Sequence, residues 1–214
     1  MNLFDSVALS NKVLLVINLI YLIYLVKHLR KSMILLTVLL LVILGVDLAS
    51  SYLADHGKEN IHLTHYYTIS QFLILSVLYY LQLSRFQLIV PIGVLLFSSV
   101  FIYQLIDSSI VYNQFNTSGF LVSACVLMFY AFFYFIEHIA EKRYWDTFNV
   151  GLFLYLGGSS IIFLTMNSWQ DLEGWNMLIW TINASLAVLF QVFIFVTIYR
   201  FHCVVKNQNG ISTL

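Results

Sequence analysis

The chain has 214 residues, 61% of them hydrophobic and only 9% charged, with a mean hydropathy of +0.88. Charges are too few to clothe a soluble globule of this size. Ten basic and ten acidic residues cancel, so no net field and no basic cluster with interleaved aromatics points to nucleic acid.

Seven apolar runs follow one another, at about 11–29, 33–54, 63–83, 87–106, 118–137, 149–167 and 176–200. Each is near the ~20 residues that cross ~30 Å of hydrocarbon as a helix, and lipid leaves the backbone no way to hydrogen-bond except internally. The expectation is an all-α integral membrane protein, a seven-transmembrane-helix bundle. The first run lacks a basic leader and a small-residue cleavage pattern and is expected to remain as a helix. Connections of at most about 11 residues leave no room for a second module, so 1–214 is expected to form a single transmembrane domain. Pro91 sits near the start of the fourth run, where a missing N–H costs little.

Basic residues set the orientation. Lys27, Arg30, Lys31, Arg85, Lys142, Arg143, Arg200 and Lys206 fall on one side of a seven-span chain, and only Lys12 and Lys58 on the other. The N-terminus is therefore expected outside and the C-terminus in the cytoplasm. The outer connections collect Asp5, Asp55, Glu59, Asp107, Asp171 and Glu173 as an acidic rim.

The most informative stretch is Gly45 to Gln71, with Asp47 inside an apolar run followed by His56, His62 and His65 around a polar turn. A carboxylate within a membrane segment is costly and is read as a functional-site candidate. Asn18, Asp47, Thr68, Ser123, Ser160 and Asn183 would each lie roughly 8–10 Å below the outer surface. The expectation is an outward-opening polar pocket floored by Asp47, with Asn18 and Asn183 beside it and His62, His65 and Tyr66 above. For the Ser and Thr members, interhelical hydrogen bonding is the blander alternative. His62 and His65, three apart, are candidate metal ligands with Asp47, Asp55 or His56, or pH-titrating imidazoles under the acidic rim. Glu137 and His138 beside Lys142 and Arg143 read as a solvated charge network. Cys125 and Cys203 read as packing residues, Gly151, Gly157 and Gly158 as points of close helix approach, and many of the 18 Phe, 14 Tyr and 4 Trp as interfacial belts.

Several enzymatic readings lack their residues. No lysine occurs between Trp175 and Tyr199 for a retinal Schiff base, the last run offers only His202 where ceramidase-like hydrolases carry paired histidines, and Asp47 has no second aspartate for intramembrane proteolysis. No cofactor is expected. The weighed functions are a receptor-like sensor or regulatory subunit, a small proton- or cation-coupled transporter or channel using Asp47, and a metal-dependent membrane hydrolase.

Asn149-x-Gly151-x3-Tyr155-x2-Gly158, followed by Trp180-x2-Asn183, resembles small seven-helix integral membrane proteins of Bacteroidetes, which are often encoded beside histidine-kinase or response-regulator genes. The resemblance covers about a quarter of the chain by motif and nearly all of it by topology. It implies membrane signalling through a separate partner, such as a histidine kinase or another membrane signalling protein, with the lipid bilayer as the surroundings and no ligand named.

Overall fold

The computed structural model describes residues 3–106, 115–141, 143–169 and 175–211. These residues form seven α-helices: α1 (Leu3–Tyr24), α2 (Lys31–Asp55), α3 (Leu63–Gln82), α4 (Ile89–Ile106), α5 (Thr117–His138), α6 (Trp145–Trp169) and α7 (Trp175–Ile211). There is no strand among the described residues. The chain clusters into two compact units, 1–33 with 138–214, and 34–137.

Five helices, α1, α2, α5, α6 and α7, carry segments long and apolar enough to cross a membrane. That is the mark of an integral membrane protein. The apolar part of α4, Ile89–Gln104, is shorter. α3 has 20 residues, but its first half carries Thr64, His65, Tyr66, Tyr67, Thr68 and Gln71, which dilute its hydropathy.

Helix boundaries depart from the apolar runs where helix continues through polar sequence. α1 begins at Leu3, so Asn11 and Lys12 lie on the helix rather than ahead of it. It stops at Tyr24 in a short 3₁₀ turn, Val26–His28. α7 runs past Arg200 to Ile211, because its polar end has partners: the Tyr21 hydroxyl lies 2.8 Å from His202 Nδ1, and Arg30 reaches Gln208 Oε1 at 3.5 Å. The segment after Arg200 is thus a docked helix through Ile211, not a free tail. α2 ends where Gly57 takes a left-handed φ of 64°. Its N–H bonds Ala54 O at 3.0 Å and that of Lys58 bonds Leu53 O at 2.9 Å, the reciprocal pair that closes a helix C-terminus on glycine.

In the first unit, α7 is the central helix and packs closely against both α6 and α1. Glycine explains the first approach. A Cβ at Gly151 would strike the Phe193 side chain, and one at Gly158 would lie 2.6 Å from Leu186 Cδ1, as expected of small residues at a membrane helix interface. Leu15, Leu19 and Leu22 on α1 and Ile194, Ile198 and Phe201 on α7 are buried.

In the second unit the buried side chains include Phe72, Leu75 and Tyr79 of α3 and Tyr130 and Tyr134 of α5. Tyr130 donates its hydroxyl to Val90 O at 2.8 Å. Gly93 makes this reach possible, since a Cβ there would collide with that hydroxyl and with Val126.

At the end of α5, Glu137 turns to the α3–α4 link. Its carboxylate accepts the Ser84 hydroxyl, the Ser84 N–H at 2.8 Å and the Arg85 N–H at 3.2 Å, closing the α3–α4 link onto α5. His138, buried, accepts from Arg143 Nη1 at 3.2 Å, and Arg143 Nε bonds Glu141 at 2.7 Å. Cys125 and Cys203 are exposed rather than packed. On a spanning helix, facing outward puts a small apolar side chain against lipid as readily as against protein. Lys142, Asp107, Tyr112, Asp171 and Glu173 lie outside the described residues.

Candidate functional site

The second unit contains a shallow alcove where α3 begins, α4 ends and α5 begins, with a volume of about 10 Å³, room for about one water molecule. Its apolar walls are Phe97 and Phe101 from α4 and Phe115 and Phe120 at the start of α5. These positions follow from helical spacing: Phe97 and Phe101 are one turn apart on the same face, and their rings stack at 6.0 Å, with Phe72 against Phe97 at 4.1 Å. Phe115 and Phe120 lie 5.9 Å apart across the α5 N-terminus.

Its polar wall comes from the first turns of α3: Thr64, His65 and Thr68. Both threonine hydroxyls spend their proton locally, Thr64 on Ile61 O at 2.6 Å and Thr68 on Thr64 O at 2.9 Å. They therefore turn only lone pairs towards the space. Asn116 completes the wall as the N-cap of α5, its Oδ1 accepting from Gly119 N–H at 2.9 Å and from Ser118 Oγ at 3.2 Å. Its amide nitrogen donates to Gln104 Oε1 at 3.0 Å, while Gln104 Nε2 bonds Ser118 Oγ. This ring of amides and hydroxyl ties α4 to α5 and fixes Asn116. Gly119 is required here, because a Cβ would come within 2.5 Å of the Asn116 side chain.

Of the residues expected to form an outer site, the alcove takes in His65 and Thr68. Tyr66, next on the helix, is 53% exposed. His62 immediately precedes α3. Asp47 lies half-buried on α2, and the Ser51 hydroxyl one turn on donates to its backbone oxygen at 2.9 Å. Nearby, Asn60 pins the α2–α3 link by donating to Ser50 Oγ at 2.8 Å and Ser50 O at 3.2 Å. His56 folds back onto its own helix, with Nδ1 2.8 Å from Tyr52 O. Among the described residues no group of three His, Cys, Asp or Glu side chains converges as a metal site.

Asn18 and Asn183 belong to the other unit and have separate partners. Asn18, fully buried, donates to Gln191 Oε1 at 2.8 Å and Gln191 O at 3.0 Å. Asn183 accepts from Ser159 Oγ at 2.7 Å. Gln191 is eight residues, about 12 Å, along α7 from Asn183, so equal depth did not make the two asparagines partners. Ser123 bonds within its own helix, to Phe120 O at 2.7 Å, as Thr68 does. Neither makes the interhelical bond expected of it.

Sequence reasoning missed Asn116 and Gln104. Asn116 carried a signal, an Asn ahead of Thr117-Ser118-Gly119 at the start of an apolar run. Gln104 carried none, since its role depends on where α5 places Ser118 and Asn116.

Fold and site together define a class: a helical integral membrane protein whose α3–α5 unit carries an aromatic-walled alcove with one imidazole and a hydroxyl-and-amide edge. No protein-family model, curated protein or solved structure matches the chain.

Proposed function

We propose that the chain is a seven-span, receptor-like sensor or regulatory subunit of a bacterial cytoplasmic membrane, with its N-terminus outside, that passes an extracytoplasmic stimulus to a separate signalling partner. The alcove carries this reading: a recess walled by phenylalanines around His65 offers a stimulus a defined place to act. The eight-to-two distribution of basic residues supports the orientation, which puts the alcove on the outer side. Crossing by all seven helices is supported by length. α3, with 20 residues, and α4, with 18, extend about 30 and 27 Å, close to the hydrocarbon thickness.

In this scheme occupancy of the alcove moves the start of α3 against α4 and α5, and the inner ends of the helices report the shift, including the Glu137 clamp on the α3–α4 link. The resemblance to membrane proteins encoded beside histidine kinases supports a partner of that kind.

The test is reconstitution of the purified chain in liposomes, following proton and cation flux. The sensor reading expects no flux above protein-free liposomes. Uptake that disappears in Asp47→Leu, with no partner present, would establish a transporter instead.

A further inference from the structure

We propose that the α1–α2 link and the docked end of α7 form a seat for an anionic phospholipid, one whose headgroup phosphate is not balanced by a cation of its own. The seat lies in the first unit and is independent of the alcove. Lys27, Arg30 and Lys31 fall within five residues of one another. Lys206 stands on α7 between His202 and Gln208, the residues through which α7 meets Tyr21 and Arg30. All four basic side chains are exposed.

No carboxylate neutralises them. The sequence has no Asp or Glu between Asp5 and Asp47, and none after Glu173. Of the described acidic residues in this unit, Asp5 lies near the opposite end of α1, and Arg143 engages the other two. Its guanidinium bonds Glu141 at 2.7 Å and its N–H bonds Asp146 at 2.8 Å. Lys27, Arg30, Lys31 and Lys206 have no ion-pair partner among the described residues. Arg85, in the second unit, differs: its guanidinium lies 5.5 Å from the Phe86 ring centre, and its N–H bonds the Glu137 carboxylate.

The link joins two helices that are each long and apolar enough to span, Leu3–Tyr24 and Lys31–Asp55, so its cations sit where hydrocarbon gives way to headgroups. α7, with 37 residues, is about 55 Å long and outruns that hydrocarbon to reach the same level. Basic residues just beyond a spanning helix attract anionic lipid. Here an apolar strip leads up to them. Ile20, Ile23 and Tyr24 are largely exposed and, at i, i+3 and i+4, share one face of α1, with Lys27 three residues further on. A phospholipid matches both parts, its acyl chain along the strip and its phosphate among the cations, where Arg30 offers a planar fork of donors and the lysines offer point charges. Free phosphate or an acidic peptide would leave the strip unused.

Native mass spectrometry of the full-length protein in detergent, with phosphatidylglycerol and phosphatidylcholine supplied together, tests the assignment. Phosphatidylglycerol is expected to be retained in preference, and the preference to fall as salt is raised. Lys27→Gln and Lys31→Gln should each lower phosphatidylglycerol retention about fivefold, the effect of the ~1 kcal/mol that one basic residue is worth at an anionic surface, and leave phosphatidylcholine unchanged. Arg85→Gln and Lys58→Gln, at exposed cations elsewhere, should alter neither. Equal retention of the two lipids by the unaltered protein overturns the assignment without any variant having to fold. A loss in Arg85→Gln or Lys58→Gln as large as that in Lys27→Gln also overturns it, because the attraction would then belong to total charge rather than to this seat. Release of phosphatidylglycerol by inorganic phosphate would show a free-anion site and sink the lipid assignment.

Discussion

Asn18 on α1 and Gln191 on α7 are joined by two hydrogen bonds from one amide group, at 2.8 Å to the Gln191 side chain and at 3.0 Å to its backbone oxygen. Both residues are buried. The pair fixes the rotation of α1 on the central helix of its unit, because a short asparagine reaches a backbone carbonyl only from one direction.

Asn18→Leu is expected to lower the unfolding free energy by about 1–2 kcal/mol, since it removes both bonds and leaves the Gln191 amide without that partner. Gln191→Leu should cost a similar amount. The double variant should lose less than the two single losses added, by about 0.6–1.7 kcal/mol, the range of interhelical side-chain bonds in membranes. Thermal unfolding in detergent measures it, and strict additivity would mean the bonds contribute nothing jointly.

Gly151 and Gly158 should differ although both face α7. An alanine at Gly151 meets the base of the Phe193 side chain, which cannot move without its backbone, whereas at Gly158 it meets the flexible end of Leu186. Gly151→Ala is expected to destabilise by about 1–3 kcal/mol, and Gly158→Ala by clearly less. A larger loss at Gly158 would mean that α6 and α7 approach in another register.

Glu137→Ala should loosen the link between α3 and α4 by removing the acceptor of the Ser84 and Arg85 N–H groups. A cost of about 1–2 kcal/mol is expected, moderated by solvent access at this end of α5. Faster hydrogen exchange confined to residues 83–87 is the specific signature. Glu137→Gln, which keeps one acceptor oxygen, should recover part of the protection.

The proposed topology rests on the basic residues. A reporter fused after Leu214 should be cytoplasmic, and one placed after Lys58 extracytoplasmic. Activity of the Leu214 fusion outside the membrane would invert the proposed orientation and put the alcove on the inner side.

Helix and membrane class were legible in the sequence because apolar runs of about 20 residues admit one backbone solution in lipid. Close approach at Gly151 and Gly158 was legible too, since absence of a side chain is itself a packing statement. Helix ends were not, because α1 and α7 continue through polar residues, which hydropathy treats as loop; the bonds of His202 to Tyr21 and Gln208 to Arg30 need the neighbouring helix in place. The described partners of Glu137 were not legible for a related reason. Its neighbours in sequence are basic, but its carboxylate turns to the N–H groups of Ser84 and Arg85, more than fifty residues away.

For the candidate site, residue depth along each helix could be counted from the sequence, and it placed His65 and Thr68 at the same end of α3. What depth leaves open is rotation about the helix axis and the identity of the facing helix. Those decided that His65 and Thr68 share their space with four phenylalanines and Asn116, that Tyr66 faces away, and that Asn18 meets Gln191 rather than Asn183. Hydropathy fixes how far a residue lies along a spanning helix, because the surrounding lipid distinguishes only depth. Side-chain partners are chosen by interhelical packing, which depends on all the facing side chains at once.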